Sequence, residues 1–210
     1  MRAAQKELGE WVDGFLFVGN KPILDFLNTN PVLVQGQTEL LPDFDALARW
    51  LFASDLVNSP KIKTLIRSWK GSREASAFLK ELIAFRERLR EAVLRMESGL
   101  GAPDEFVKEV NERLVNYPPR AALRKRDGRL VMEMLFNPGK PDDLWMPFIH
   151  GAADLLTEAA AGRLRQCESC VLHFYDTSKK GSRRWCSMNI CGNKIKVATY
   201  QRKKREGSIR

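Results

Sequence analysis

The chain has 210 residues, of which 44% are hydrophobic and 29% charged, and its formal net charge is +9. This composition supports a folded core and excludes both a disordered chain and a collagen-like fibre. No apolar run approaches the roughly 20 residues that span a bilayer, and residues 1–10 lack the apolar stretch of a secretory signal. We therefore expect a cytoplasmic protein with no membrane partner.

Charge and cysteine are distributed unevenly along the chain. Up to Gly162 there are 22 Lys+Arg and 23 Asp+Glu, whereas residues 163–210 contain 13 and 3. All four cysteines also follow Gly162. The simplest explanation is two domains with separate roles, 1–162 and 163–210.

Residues 1–162 are predicted to form a mostly helical α+β domain. A short buried strand, Phe15–Val18, comes first, and capping residues and apolar residues at helical spacing then predict six helices. Three of them are predicted to span Ile23–Thr29, Ser72–Ser98 and about Asp143–Ala161. The other three are predicted to begin after Asp43, after Ser59 and after Pro103.

One segment of this domain departs from the helical spacing of apolar residues. Arg120–Arg126 and Arg129–Phe136 flank the dipeptide Asp127-Gly128, which supplies the positive φ angles of a tight turn. The sequence therefore predicts a long β-hairpin between the last two helices.

The same domain lacks a catalytic signature, so we predict that it is not an enzyme. It has no Gly-rich phosphate loop and no cysteine, and we interpret its single histidine, His150, as a hydrogen-bonded core or groove residue. Asp25, Asn28 and Thr29 lie near a helix end, where they either cap the helix or line a ligand pocket for a small molecule. Trp50, Trp69 and Trp145 fall on apolar stripes and are predicted to anchor the core.

The cysteines have metal-ligand spacing. Cys167 and Cys170 are separated by two residues, Cys186 and Cys191 by four, and fifteen residues lie between the pairs. Four thiolates suit tetrahedral Zn²⁺ and leave no open position for a catalytic water, so we predict one structural Zn²⁺ per chain. Rubredoxin-like iron is the alternative metal, and structural disulfides are rare in a reducing cytoplasm. His173 lies between the pairs and is interpreted as a strand residue.

The chain around the cysteines predicts a treble-clef finger. Val171–Asp176 is expected to pair with a returning strand, Arg183–Trp185, and a helix is expected to begin at Cys191. Ile195, Val197, Ala198 and Tyr200 are expected to cover the small core from this helix.

The composition of residues 163–210 also predicts a surface that binds a polyanion, because the positive charge excess is concentrated in so few residues. The candidate nucleic-acid-binding residues are Lys179, Lys180, Arg183, Arg184, Lys194, Lys196, Arg202, Lys203 and Lys204. Charge alone does not separate DNA from RNA.

Two sets of short motifs carry a family resemblance. Phe174-Tyr175-Asp176, Arg183-Arg184-Trp185-Cys186-Ser187-Met188 and Cys191-Gly192-Asn193-Lys194, with Lys196-Val197-Ala198, resemble the CGNR zinc-finger family. Leu24-Asp25-Phe26, Asn28-Thr29 and Asp45-Ala46-Leu47, with Trp50-Leu51, resemble the ABATE domain that precedes this finger in bacterial stress-induced transcription regulators.

The resemblance implies zinc on the four cysteines, a treble-clef finger that binds DNA, and an α+β domain whose long bent hairpin lies at Arg120–Phe136. The family's final Arg is Lys194 in this chain. Lysine keeps the charge but lacks the planar fork that clamps a base or a phosphate at two points.

Two further functions stay open at this point. The first is RNA binding through the same basic surface. The second is an interaction role for the finger beside an N-terminal domain that binds a small-molecule or protein effector, or acts as an enzyme. The sequence leaves the oligomeric state undetermined.

Overall fold

The computed structural model describes residues 11–33, 36–158 and 162–205. The helices are α1 (Pro22–Leu27), α2 (Phe44–Ala53), α3 (Pro60–Ser68), α4 (Arg73–Glu97), α5 (Asp104–Asn116), α6 (Trp145–Glu158) and α7 (Asn193–Arg205). The strands form four antiparallel pairs: β1 (Trp11–Val12) with β2 (Phe15–Leu16), β3 (Val32–Leu33) with β4 (Gly36–Gln37), β5 (Ala121–Arg126) with β6 (Arg129–Met134), and β7 (Leu164–Gln166) with β8 (His173–Tyr175). A 3-10 turn, Pro141–Leu144, leads into α6, and a π-helical turn, Met188–Gly192, leads into α7.

Local capping explains why the helices begin where the sequence predicts. The Asp43 carboxylate accepts a hydrogen bond from the Ala46 N–H at the start of α2, and the Ser72 hydroxyl accepts one from the Ala75 N–H at the start of α4. Each bond satisfies an N–H that has no partner within the first helical turn. The predicted mostly helical fold is confirmed. The predicted first strand, Phe15–Val18, is shorter than expected, because only Phe15–Leu16 pairs with the preceding strand.

An aromatic cluster forms the centre of the N-terminal region. The ring of Phe26 in α1 lies 4.7 Å from that of Phe148 in α6, and the ring of Trp50 in α2 lies 5.8 Å from both. Trp145 contacts Phe78 and Phe85 of α4 edge-on. Trp50 and Trp145 are fully buried, so they anchor the core as predicted, whereas Trp69 is only partly buried.

A buried arginine ties α4 to the segment after α1. The guanidinium of Arg86 is fully buried, donates to the Thr29 hydroxyl at 2.8 Å, and forms a bidentate pair with Glu39. Burial alone would raise the pKa of Glu39, but the hydrogen bonds from Arg86 and from the Leu41 N–H outweigh it and lower that pKa. A buried charge without such a partner would cost several kcal/mol, so the pair fixes the position of this segment.

The predicted long hairpin is present as β5 and β6. Its turn residues Asp127 and Gly128 have φ angles of 50° and 80°, in the left-handed region that an Asp-Gly turn needs. The strands pair from Ala121 opposite Met134 to Arg126 opposite Arg129.

The strand pairing after Gly162 differs from the prediction. β8 pairs with β7, which precedes the first cysteine, and Arg183–Trp185 is not a strand. The Asp176 carboxylate, instead of a strand ladder, holds this returning segment, because it accepts hydrogen bonds from the N–H groups of Ser178 and Arg183. Val197 and Tyr200 are each 55% exposed, so they do not cover a core as expected.

Candidate metal centre and basic surface

The first cysteine pair lies on the turn between β7 and β8. The Cys167 N–H donates to the Leu172 carbonyl at 2.8 Å, and the Val171 N–H donates back to the Cys167 carbonyl at 3.2 Å. Val171 has φ of 58°, a left-handed conformation that a β-branched residue rarely adopts. This tight turn directs the side chains of Cys167 and Cys170 toward one point.

The second pair reaches the same point from the other side. Arg183 donates a hydrogen bond to the Cys186 carbonyl, and the guanidinium lies 5.3 Å from the centre of the Phe174 ring. Cys191 lies in the π-helical turn, which the Ser187 hydroxyl caps by accepting a bond from the Ile190 N–H. The positive end of the helix dipole favours negative charge on a nearby thiolate.

The four sulfur atoms have the geometry of a tetrahedral metal site. All four Sγ atoms lie within 4.8 Å of one another, with 3.5 Å between Cys170 and Cys186 and 3.7 Å between Cys186 and Cys191. A zinc ion with sulfur ligands near ~2.3 Å places them about 3.8 Å apart, whereas a disulfide needs about 2.05 Å. The cysteines are all free of disulfides. They therefore form the site of one structural zinc ion.

The close approach of the thiols also shifts their pKa values. Hydrogen bonds from Cys170 and Cys186 lower the pKa of the Cys167 thiol, while their bonds to Cys167 raise the pKa values of Cys170 and Cys186. The cluster thus stabilises one negative charge by sharing the protons of its neighbours. A divalent ion replaces those protons, so metal binding releases them to solvent.

The finger is attached to α1 through buried hydrogen bonds. The Asn28 side chain donates to the His173 carbonyl and accepts from the His173 N–H, both at 2.9 Å. The Tyr175 N–H donates to the Gly19 carbonyl at 2.9 Å, and the Asn20 side chain donates to the Tyr175 carbonyl at 2.7 Å. Strand β8 is therefore paired on one side with β7 and on the other with the residues around α1.

The boundary between the finger and the residues around α1, which we call the seam, also contains apolar and charged contacts. Val18 is fully buried and packs in the cluster that contains Cys167, Phe174 and Cys186. The imidazole Nδ1 of His173 lies 2.8 Å from a carboxylate oxygen of Glu97 at the end of α4. His173 is thus a strand residue outside the metal cluster, as predicted.

Asp25 and Thr29, which the sequence singled out with Asn28, lie in or beside this seam. A carboxylate oxygen of Asp25 accepts from the Gly19 N–H at 2.7 Å, and burial raises the pKa of Asp25 to about 7. The Thr29 hydroxyl donates to the Phe26 carbonyl and accepts from Arg86. These contacts occupy polar atoms that a ligand would use, and the pocket at these residues stays a prediction. A Cβ on residue 19 would lie 2.9 Å from the Asp25 backbone nitrogen, so only glycine fits here.

The sequence did not reveal the role of Glu97, and it indicated Asp176 only as part of a motif and Val18 only as the end of a buried strand. Each lies in a segment whose local pattern indicates an ordinary strand or helix end, and their roles depend on long-range contacts. His150, by contrast, is where a lone histidine was expected, with its Nε2 2.8 Å from the Tyr117 carbonyl.

The predicted basic residues divide into three groups. Lys179, Lys180, Lys196 and Lys204 are exposed, and no ion pair involves them within the described chain. Arg184 is exposed but forms a bidentate pair with Glu168, and Arg183 is partly buried against the metal centre. The side chains of Lys194, Arg202 and Lys203 lie outside the described residues, although their backbone belongs to α7.

An apolar cleft of about 580 Å³ lies where the N-terminal helices meet β7. Its lining includes Met96 of α4, Val107 and Val110 of α5, Leu156 of α6 and Leu164 of β7. In the part of the chain that the structure describes, no helix is long and apolar enough to cross a membrane.

The four-thiolate centre, closed by protein ligands and packed against a helical region, defines a zinc-finger protein of two parts. Comparison with family models agrees with this class. Residues 163–204 match the CGNR zinc finger, and residues 20–159 match the ABATE family, whose description is "putative stress-induced transcription regulator". The chain belongs to the ABATE family and carries a C-terminal CGNR zinc finger. A search of curated proteins found no match.

Proposed function

We propose that this protein regulates transcription by binding DNA through its zinc finger, with the N-terminal region as a sensor or interaction platform. The observation that carries the proposal is the excess of ten positive charges over residues 163–210, the same segment whose four cysteines form the metal centre. The regulator family supports DNA over RNA as the partner.

The exposed lysines are suited to phosphate contacts. Lys179 and Lys180 lie on the loop after β8, and Lys196 and Lys204 lie on α7. Phosphate contacts release counterions, so each lowers the slope of log K against log salt by about 0.9. With about five such contacts, the slope is expected to be roughly −4 to −5.

Arg184 is proposed to contact a base edge. Its guanidinium lies 5.5 Å from the centre of the Trp185 ring and is held by Glu168. Both partners of this ion pair are largely exposed, so exchange of Glu168 for a DNA acceptor costs little. Replacing Arg184 with Ala should relax the preference at one base position, since a base contact, unlike a phosphate contact, depends on the sequence.

The test is a titration of the full-length zinc-loaded protein with duplex DNA at several salt concentrations. Changing Lys179, Lys180, Lys196 and Lys204 together to Ala should weaken binding to all sequences and make the slope less negative by about 3.6. The matched control removes four exposed positive charges from the N-terminal region: Lys61→Ala, Arg73→Ala, Lys80→Ala and Lys108→Ala. Binding that does not depend on salt, or that prefers single-stranded RNA, contradicts the proposal.

The apolar cleft supports the sensor role. It is lined both by helices of the N-terminal region and by Leu164, the first residue of the strand that leads to Cys167. An apolar ligand there would contact both parts of the protein. We expect saturable fluorescence enhancement of an apolar dye by the wild type, and loss of that signal in Ala153→Phe, which fills the cleft. Equal signals from both proteins would count against a ligand site in the cleft.

A further inference from the structure

The β5–β6 hairpin has a charge opposite to that of the region around it. Residues 120–129 contain five Lys or Arg and one Asp, whereas the rest of residues 1–162 contains 17 Lys or Arg and 22 Asp or Glu. The hairpin is therefore a local positive site, net +4, on a region that is otherwise net −5. This contrast is typical of a surface that meets a polyanion.

The register of the hairpin separates two faces. Arg124 lies opposite Val131, and Arg126 lies opposite Arg129, so these arginines share one face. Leu123 lies opposite Met132 on the other face, with Leu130 next to them. Every residue from 123 to 132 is exposed, including Leu123, Leu130 and Met132 at 69%, 71% and 75%. Both faces of the ribbon are open to a partner.

The shape of the hairpin suits a groove of duplex DNA. Two six-residue strands at about 3.3 Å per residue make a ribbon about 20 Å long, and the major groove admits a two-stranded β-ribbon. A two-stranded hairpin is also marginally stable on its own in water, so contact with a partner would order it further.

The hairpin and the finger lie at opposite ends of α6. The Tyr117 carbonyl at the end of α5 contacts His150 in the first half of α6, while Val107 near the start of α5 lines the cleft with Leu156. The two helices are therefore antiparallel, the hairpin connects one pair of their ends, and the finger follows the other end of α6. At about 1.5 Å per residue, the 14 residues of α6 separate these two helix ends by some 21 Å.

We propose that the β5–β6 hairpin is a second nucleic-acid contact, in which Arg124, Arg126 and Arg129 bind phosphates of the same DNA duplex that the finger binds. The inference rests on the proposed function. It adds a contact from the N-terminal region, so the protein would hold one duplex at two points. Charge complementarity favours DNA over a second copy of the chain, because another basic hairpin would repel this one.

The experiment compares variants of the full-length zinc-loaded protein on one duplex of about 30 base pairs, nearly three helical turns, which is long enough for both contacts. Three hairpin contacts should make the salt slope of the wild type more negative by about 2.7 than that of a protein that lacks them. Arg124→Ala, Arg126→Ala and Arg129→Ala combined should therefore make the slope less negative by about 2.7 and weaken binding at least tenfold.

The matched control removes three exposed positive charges elsewhere in the N-terminal region: Lys61→Ala, Arg73→Ala and Lys80→Ala. It should keep the wild-type salt slope. Helical circular dichroism and zinc content should be unchanged in both variants, because all the substituted side chains are exposed.

Three results would overturn the proposal. If the hairpin variant binds the duplex with the same affinity and salt slope as the control, the hairpin is not a DNA contact, although the function of the finger stands. If the wild type does not bind the duplex, the proposed function itself fails. If changing Leu123, Leu130 and Met132 to Ser converts a dimer to a monomer in sedimentation, and the arginine variant binds normally, the hairpin joins two copies instead.

Discussion

The N-terminal region buries more than two dozen apolar side chains in one cluster, with Phe26, Trp50 and Phe148 in contact at its centre. The second cluster contains three cysteines, two other apolar side chains of the finger, Leu172 and Phe174, and Val18 from the N-terminal region. The first region can therefore fold by apolar burial, whereas the second is too small to do so and depends on its metal. The same chain thus uses two different sources of stability on the two sides of one seam.

Removing the metal should have the largest effect and should separate the two regions. Structural zinc contributes about 10–16 kcal/mol of apparent binding free energy in finger peptides, so Cys186→Ala should abolish zinc binding and unfold the segment after Cys167. The helices of the N-terminal region should persist. Elemental analysis and hydrogen exchange measure the two effects, and Ser182→Ala, an exposed neighbour, is the control. Loss of all helical signal in Cys186→Ala would show that the regions do not differ in this way.

A cavity in the aromatic cluster should have the converse effect. Phe148 is 1% exposed, so Phe148→Ala should lower the free energy of unfolding of the N-terminal region by about 3–5 kcal/mol. Zinc should remain at one ion per chain. Denaturant unfolding measures the first quantity and elemental analysis the second. Leu123→Ala, at a side chain 69% exposed, should change stability by less than about 0.5 kcal/mol.

The carboxyl of Asp25 should make the N-terminal region sensitive to pH. Burial raises its pKa from 3.8 to about 7, so the folded state keeps this proton over a range in which the unfolded state loses it. The stabilisation is complete below pH 3.8 and is lost as the pH rises through 7. Asp25→Asn cannot ionise, so its stability relative to wild type should increase from pH 4 to pH 7 by up to about 4 kcal/mol. If the difference in free energy of unfolding between the two proteins stays constant from pH 4 to pH 7, the raised pKa of Asp25 is contradicted.

The smallest expected effect concerns the seam itself. Asn28→Ala removes both hydrogen bonds to the backbone of His173 and should cost about 2 kcal/mol, because buried N–H and carbonyl groups lose their partners. Faster hydrogen exchange should be confined to β8 and the residues around α1. Asn116→Ala, which removes an exposed bond to the Glu112 carbonyl, is the matched control. Identical exchange in the two variants would mean that the seam does not need Asn28.

Local signals were sufficient to predict most of the helices and the metal site. α2, α3 and α4 begin within two residues of the predicted positions, because a capping residue or proline and an apolar period mark each one. The cysteine spacing predicted the metal cluster, since two close pairs around one ion are a constraint on the sequence itself.

Long-range pairing could not be predicted in the same way. β7 is the triplet Leu164-Arg165-Gln166, too short to show alternation, so the strand that contains His173 was assigned to the wrong partner. Asn28 contacts a residue 145 positions away, and the sequence gives no local sign of that contact. The division into 1–162 and 163–210 stays a prediction of charge and composition, and Val18 crosses it.

Val18 in the cluster around the cysteines has a thermodynamic consequence for the whole chain. Coupling between two binding sites is reciprocal, so a ligand of the segment around Val18 that raises the affinity for zinc is itself bound more tightly, by the same factor, when zinc is present. Binding of such a ligand in the N-terminal region would then change the zinc occupancy at a fixed concentration of the metal. Conversely, the availability of zinc would set how tightly that ligand is held.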